Sequence, residues 1–110
     1  MKVLFIPSHL STSGMPQFLL KRIEAIHEYL PDVEVFVYEW EQQSINYTIQ
    51  RDKIVDIVGD NFYSCGYIRD GNSDGWAEKQ NNVINYCYEN KIDIIHLEDV
   101  AEYFINKDYN

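Results

Sequence analysis

Residues 2–26, KVLFIPSHLSTSGMPQFLLKRIEAI, decide the fold of this chain. An apolar run from Val3 to Ile6 ends at Pro7, a loop of small polar residues follows, and a helical pattern then opens beside Pro16. Many α/β proteins build a phosphate or sugar site from this order of strand, small-residue loop and helix. The same residues would also make a well-capped turn, so both interpretations stay open at this point.

The composition indicates one folded domain with an acidic surface. Of 110 residues, 45% are hydrophobic and 15% aromatic, which is enough for one modest core. The 18 acidic residues against 9 basic ones give a formal net charge of −9, and no basic face of the kind that tracks nucleic acid is visible. No apolar run reaches the ~18 residues of a membrane span, and the start lacks the features of a signal peptide. We therefore expect a cytoplasmic protein without nucleic-acid partners.

The cysteines and histidines indicate neither a metal site nor a cofactor. Cys65 and Cys87 lie in no CxxC motif, and the histidines, His9, His27 and His96, share no ligand spacing. A disulfide is not implied in a cytoplasmic chain. We interpret Cys87, on the apolar side of a predicted helix, as a buried thiol.

Strand and helix patterns alternate along the whole chain. The predicted strands are Lys2–Ile6, Glu34–Trp40, Ile45–Ile49, Asn61–Cys65 and Lys91–Asp99, and the predicted helices are Pro16–Leu30, Asp52–Val58, Trp76–Asn90 and Val100–Ile105. Gly59 is expected to end the second helix. Such alternation predicts βαβ units, and hence an α/β fold: a Rossmann-like three-layer sandwich with a mostly parallel sheet of four or five strands.

Apolar spacing predicts which faces of the two long helices are buried. The first helix carries one apolar stripe with a helical period, formed by Leu19, Ile23, Ile26 and Leu30. In the third helix we expect four residues to face inward: Trp76, Val83, Ile84 and Cys87.

Two loops are candidate ligand sites. Open parallel sheets bind ligands outside the carboxyl ends of their strands, where the strand order reverses, and the loops after Ile6 and Leu97 are expected to meet there. The first loop offers hydroxyl groups, a glycine that permits close approach, and unpaired helix amides that favour an anion. Its candidate substrate- or diphosphate-binding residues are Ser11, Thr12, Ser13, Gly14 and Met15.

The second candidate site follows the last predicted strand. Glu98 and Asp99 are the candidate catalytic residues, because paired carboxylates can bind sugar hydroxyls, hold a metal or act as a base. They could equally cap the next helix. His96 is a secondary candidate that we interpret as a half-buried histidine rather than a catalyst. Arg51 is another: it either pairs with a phosphate or carboxylate or is an ordinary solvated residue, the interpretation that we favour.

Three segments resemble family-4-type glycosyltransferases of the GT-B architecture. Residues 2–24, KVLFIPSHLSTSGMPQFLLKRIE, resemble the opening of one branch, which has STGGMPQYLLK-like residues between its first strand and first helix. Residues 49–54, IQRDKI, and residues 93–100, DIIHLEDV, are similar to two further segments of that branch and occur in the same order.

This resemblance implies the acceptor-side, N-terminal Rossmann-like domain of an enzyme that moves a sugar from a nucleotide-sugar to an acceptor hydroxyl. It implies that Gly14 lies near the donor diphosphate and that Glu98 lies at the active-site edge. Enzymes of this family have two Rossmann domains. We therefore expect residues 1–110 to be a single, incomplete domain that is inactive alone and that has a nucleotide-sugar or a glycan acceptor as its ligand.

The alternative hypothesis is a stand-alone, flavodoxin-like binding or interaction module, for which the same loop is only a turn. In either case strands absent from the chain would leave a sheet edge unpaired. An unpaired edge invites dimerisation or a changed strand order. We therefore expect a homodimer formed through a sheet edge.

Overall fold

The described residues alternate strands and helices, as the sequence predicts. A computed structural model describes residues 1–10, 14–40, 49–64 and 76–98. Within these residues the elements, in chain order, are β1 (Lys2–Pro7), α1 (Gly14–Tyr29), β2 (Glu34–Glu39), α2 (Ile49–Val58), β3 (Phe62–Ser64), α3 (Trp76–Asn90) and β4 (Ile94–Glu98). A short 3₁₀ turn, Gly59–Asn61, joins α2 to β3. Helix α3 has the bounds that its apolar spacing predicts.

Three predicted elements differ or fall outside the described residues. The strand predicted at Lys91–Asp99 begins only at Ile94, because Lys91 belongs to the turn that ends α3. Ile49 opens helix α2 and is not a strand residue. The rest of the strand predicted there and the helix predicted at Val100–Ile105 lie outside the described residues.

The four strands form one parallel sheet in the order β3-β2-β1-β4. The chain runs outward from β1 through β2 to β3 and then returns to place β4 on the other side of β1. Because βαβ connections are right-handed, this reversal puts α1 and α2 on one face of the sheet and α3 on the opposite face. The predicted Rossmann-like three-layer α/β sandwich with a parallel sheet is confirmed.

Alternate residues of β1 and β2 pack into two separate hydrophobic clusters, one on each face. The cluster on the α1 and α2 face includes Phe5, Leu10, Leu19, Leu20, Ile23, Val37 and Ile54. The cluster on the α3 face consists of Leu4, Ile6, Phe36, Tyr38, Trp40 and Val83. Since both faces of β1 and β2 are covered, their sequences are apolar almost throughout rather than alternating.

The predicted apolar stripes are buried only in part. Leu19 and Ile23 are buried on α1, whereas Leu30 lies beyond the end of that helix and is 54% exposed. On α3, Val83 is buried, but Ile84 is 37% exposed, so its predicted inward position is wrong. Ile84 instead lines an open groove between α3 and β4.

Helix α3 ends in a turn that needs a left-handed residue, and the chain supplies Lys91. Lys91 has φ 55°. The N–H of Ile92 donates to the carbonyl of Cys87 (3.0 Å), and the N–H of Lys91 donates to the carbonyl of Tyr88 (3.3 Å). This pair of hydrogen bonds is the Schellman motif, whose left-handed position is usually glycine. At the end of α2 that position is Gly59, with φ 58°, as predicted.

We expect Lys91→Gly to stabilise the protein and Gly59→Ala to destabilise it. Glycine relieves about 1–2 kcal/mol of left-handed strain in the folded state. It also stabilises the unfolded state by about 0.4–1 kcal/mol, because it adds conformational entropy there. The free energy of unfolding of Lys91→Gly should therefore rise by about 0.5–1 kcal/mol. At Gly59 an added Cβ meets nothing within 4 Å, so the cost there is backbone strain alone. Urea unfolding measures both, with Lys91→Ala as the control that keeps a Cβ; shifts of the same sign in Lys91→Gly and Gly59→Ala would contradict the assignment.

Candidate functional site

The carboxyl ends of β1 and β4 lie side by side. The strand register pairs Ile6 with Leu97 and Pro7 with Glu98, and the N–H of Ser8 donates to the carbonyl of Glu98 at 3.0 Å. The strand order reverses between these two strands, which makes this edge the position where open α/β sheets bind ligands. The prediction that the chain segments after Ile6 and Leu97 begin next to each other is confirmed.

Helix α1 begins at the same edge of the sheet. Its first residue is Gly14, and its first turn contains no acidic residue. Pro16 is buried in that turn, where the missing N–H of a proline costs no hydrogen bond. Of the predicted anion-binding loop, the structure describes Gly14 and the half-buried Met15, while residues 11–13 lie outside the described residues. The first N–H groups of α1 have no partner within the helix and are suited to an anion.

Three polar side chains meet between α1 and β4, one from the helix and two from the strand. Arg22 forms a salt bridge with the carboxylate of Glu98. His96 Nε2 lies 3.0 Å from the Arg22 guanidinium and 3.0 Å from Glu98 Oε1, and its ring packs against Phe5 with centroids 5.4 Å apart. A neutral His96 can accept the Arg22 N–H at Nε2, whereas a protonated ring would donate to Glu98. The guanidinium of Arg22 also lies over the Phe18 ring.

This cluster brings two predicted site residues together and adds one that sequence reasoning missed. His96 and Glu98 were predicted candidates, but the side chain of His96 is 49% exposed, so it is more exposed than the half-buried interpretation predicts. Glu98 is 16% exposed, and its carboxylate is bound by Arg22, which appeared in the sequence only as one of a few scattered cations. Asp99 lies outside the described residues.

A second cluster, which was not among the predicted sites, surrounds a buried carboxylate at the end of β2. Glu39 is fully buried. Its Oε1 accepts a hydrogen bond of 2.6 Å from the hydroxyl of Ser64, at the end of β3, and its Oε2 lies 3.0 Å from Arg51 Nε, on α2. Arg51 also stacks over the ring of Phe62, 5.1 Å from its centroid. The interpretation of Arg51 as an ordinary solvated residue is therefore wrong, because a buried carboxylate needs a cationic partner.

We expect Arg51→Met to cost about 3 kcal/mol of the free energy of unfolding, because it leaves Glu39 as an uncompensated buried charge. The matched control is Lys53→Met, which makes the same exchange at an exposed position of the same helix and should change stability by less than about 0.5 kcal/mol. Adding Glu39→Gln to Arg51→Met should recover part of the loss. Urea unfolding measures the three variants; equal effects of Arg51→Met and Lys53→Met would contradict the buried ion pair.

The remaining titratable groups of the described residues include two half-buried ones on α3, Tyr86 and Cys87. Within residues 1–10, 14–40, 49–64 and 76–98, no group of three His, Cys, Asp or Glu side chains is arranged to hold a metal ion. Burial raises the pKa of the half-buried Cys87 thiol, and burial together with the neighbouring Cys87 raises the pKa of Tyr86. No helix of the described part of the chain is long and apolar enough to cross a membrane.

Comparison with protein-family models, with curated proteins and with solved structures finds no match to this chain. The resemblance to GT-B glycosyltransferases therefore stays a prediction that depends on the three sequence segments. The parallel sheet and its strand order agree with a Rossmann-like fold, which many unrelated functions share.

Proposed function

We propose that this chain is a ligand-binding domain of the GT-B glycosyltransferase type, and that it binds the diphosphate of a nucleotide-sugar. The observation that carries this proposal is the meeting of the β1 and β4 ends with the N-terminus of α1 at one sheet edge. Backbone amides at a helix N-terminus bind phosphate without a net positive charge on the protein. The chain's net charge of −9 is therefore no obstacle.

The ion pair between Arg22 and Glu98 favours an anion at this edge. A free carboxylate at the end of β4 would repel a phosphate group held between β1 and β4. Because Arg22 is bound to Glu98, that charge is compensated within the protein. Arg22, in the middle of α1, thus removes a repulsion, while the helix N-terminus supplies the hydrogen-bond donors.

We propose a binding role rather than complete catalysis for this chain alone. The described strands bring two carboxylates to this edge, Glu39 and Glu98, and an arginine binds each of them. A general base must be able to accept a proton from the substrate, and neither carboxylate is disposed to do so while it is paired. Sugar transfer would then need groups from outside the described residues.

The diphosphate proposal predicts a charge-specific effect at Ser13. Titration with UDP, followed by amide NMR, should shift the signals of Ser8, Gly14 and Met15, and Ser13→Asp should weaken this binding at least about tenfold by like-charge repulsion. Ser13→Asn is the matched control, since Asn and Asp are equally good helix caps and differ in charge. We expect the Asn variant to bind as the unmodified chain does.

Two further ligands, pyrophosphate and uridine, test binding of the diphosphate and of the nucleoside separately. Pyrophosphate should shift the same amides, whereas uridine without phosphate should not. Equal shifts with uridine would place recognition at the base. No shift with UDP, GDP or their sugars at millimolar concentration would overturn the proposal and leave the loop as a turn.

A second candidate function is homodimerisation through β4, and the exposure of that strand favours it. Among the described strands β4 pairs with β1 alone, and Ile94 and Ile95, which point to opposite faces, are 46% and 50% exposed. An apolar edge strand with unpaired backbone groups is a template for a second strand. Two copies joined at β4 would form a continuous sheet.

We expect Ile94→Lys to shift such a dimer to monomer, because a lysine on an edge strand disfavours edge pairing. Ile49→Lys is the control: Ile49 is 62% exposed at the start of α2, so the variant makes the same exchange away from the sheet edge. Size exclusion with light scattering, at low and high salt, measures the mass. Higher salt should favour the dimer by screening the negative charge of both copies. A monomer at high concentration in the unmodified chain would exclude this function.

A further inference from the structure

A polar pocket lies on the α3 face of the sheet, on the side of the helix away from β4. It has a volume of about 260 Å³ and opens between α3 and the strands β2 and β3. Two tyrosines from the strands and four residues of α3 line it: Tyr38, Tyr63, Asn82, Asn85, Tyr86 and Glu89. The pocket is therefore separate from the edge where β1 and β4 meet.

Three tyrosine rings form the apolar side of this pocket. Tyr63 stacks on Tyr38 with ring centroids 4.8 Å apart, and the Tyr86 ring lies 5.5 Å from Tyr63 and 5.2 Å from Tyr38. Tyr38 is buried, whereas Tyr63 is 45% exposed, so the outer ring of the stack is the one that a ligand can reach. Such a ring offers a flat apolar surface to a ligand.

Helix α3 supplies the polar side of the pocket. Asn82, Asn85 and Glu89 follow one another at intervals of three and four residues and thus lie along one face of the helix. All three are exposed, and no hydrogen bond or ion pair within the described part of the chain engages their side chains. Each amide can donate and accept hydrogen bonds, whereas the carboxylate only accepts them. These groups are therefore available to a ligand.

We propose that this pocket binds one pyranose ring of a neutral sugar. The C–H face of the ring would lie on Tyr63, and its hydroxyl groups would bind Asn82, Asn85 and Glu89. A pyranose combines an apolar face with hydroxyls that both donate and accept, so it complements both sides of the pocket. The inference does not depend on the diphosphate proposed above, because the two sites share no residue.

The volume of the pocket selects a ligand of this size. Sites for drug-sized molecules have volumes of roughly 300–1,000 Å³. The observed volume of about 260 Å³ is smaller and suits a single ring rather than a whole nucleotide-sugar. Because the α3 side chains at the pocket are exposed, the remaining units of a longer glycan can extend into solvent.

The charge of the pocket disfavours anionic ligands. Glu89 is the one charged side chain among the described residues that line it, and the chain has a formal net charge of −9. A phosphorylated sugar would bring a second negative charge beside this carboxylate, and like charges in contact weaken binding. An uncharged sugar avoids this repulsion and can donate a hydroxyl to Glu89.

The packing of the rings disfavours an organic cation. An aromatic cage holds a cation within about 6 Å of its ring centroids and needs space between the rings. Here the three rings contact one another, with centroids 4.8 to 5.5 Å apart, so they form a platform rather than a cage. A quaternary ammonium ion also has no N–H group to donate to the amide oxygens of Asn82 and Asn85.

NMR titration with simple sugars tests the proposal. The probes are the methyl glycosides of glucose, galactose, mannose and N-acetylglucosamine, each at up to tens of millimolar. We expect at least one of them to shift the side-chain amide signals of Asn82 and Asn85 and to leave the backbone signals of Gly14 and Met15 unchanged. The 6-phosphate of the sugar that binds best should cause smaller shifts, because Glu89 repels it. UDP is read at Gly14 and Met15, so each site can fail without the other.

Adjacent asparagines of α3 provide a matched pair of variants. Asn82→Ala should weaken binding of the best glycoside on the order of fivefold, through loss of its hydrogen bonds. Asn81→Ala makes the same exchange at an exposed position outside the pocket and should leave binding unchanged. Both residues are exposed, so neither variant should disturb folding.

A second pair of variants tests the aromatic platform. Tyr63→Ala should weaken binding on the order of tenfold, because it removes the ring on which the sugar lies. Tyr88→Ala is the control: Tyr88 is 81% exposed on α3 but lines the groove towards β4 instead. If Tyr63→Ala disturbs folding, the pair of asparagine variants still decides the question.

Three results would overturn the proposal. The first is the absence of any shift at Asn82 and Asn85 with all four glycosides. The second is equal weakening of binding in Asn82→Ala and Asn81→Ala. The third is a shift with tetramethylammonium or with uridine as large as that with the best glycoside, because the pocket would then select a cation or a flat base rather than a sugar.

Discussion

The pairing of β1 on both of its edges is the constraint from which the rest of the structure follows. Val3 lies between Val35 of β2 and Ile94 of β4, and Phe5 lies between Val37 and His96 in the same way. From this central strand the described chain builds outward through β2 to β3 and then returns to place β4 on the other side of β1. This reversal places α1 and α2 on one face of the sheet and α3 on the opposite face. It also brings the carboxyl ends of β1 and β4 to one edge.

Local sequence patterns predict most helices and strands well, because the residues at the ends of these elements show where each one begins or ends. Pro16 and the apolar spacing define α1, and Gly59 marks the end of α2. The end of α3 is different. Lys91 adopts a left-handed conformation that nothing in its residue type indicates, and the apolar residues after it read as one long strand. The sequence therefore predicts that β4 exists but not where it begins. The start of β4 depends on the hydrogen bonds that Lys91 and Ile92 make to the last turn of α3.

The polar clusters are harder to predict, because a sequence pattern records a charge but not its partner. Arg22 and Glu98 meet only through the tertiary fold, in elements at opposite ends of the chain. Glu39 carried a usable signal: it stands between the aromatic residues Tyr38 and Trp40 at the end of a strand that is otherwise apolar on both faces. A carboxylate between two aromatic residues, at the end of a strand covered on both faces, is a candidate for burial. A buried carboxylate requires a cation nearby, so Arg51 in the next helix was the natural partner.

Two arginines, Arg22 and Arg51, compensate the negative charges at the strand ends of this acidic chain. Each described carboxylate at a strand end is neutralised from the helix layer, Glu39 by α2 and Glu98 by α1. Among the described residues at the edge where β1 and β4 meet, the amides at the start of α1 then contribute a positive potential. The pairing of the 16% exposed Glu98 with Arg22 would stabilise a purely structural edge as well, because a buried carboxylate needs a cationic partner. The same pair would also keep the charge of Glu98 from repelling an anion bound at the turn after β1, so one interaction serves both interpretations of this edge.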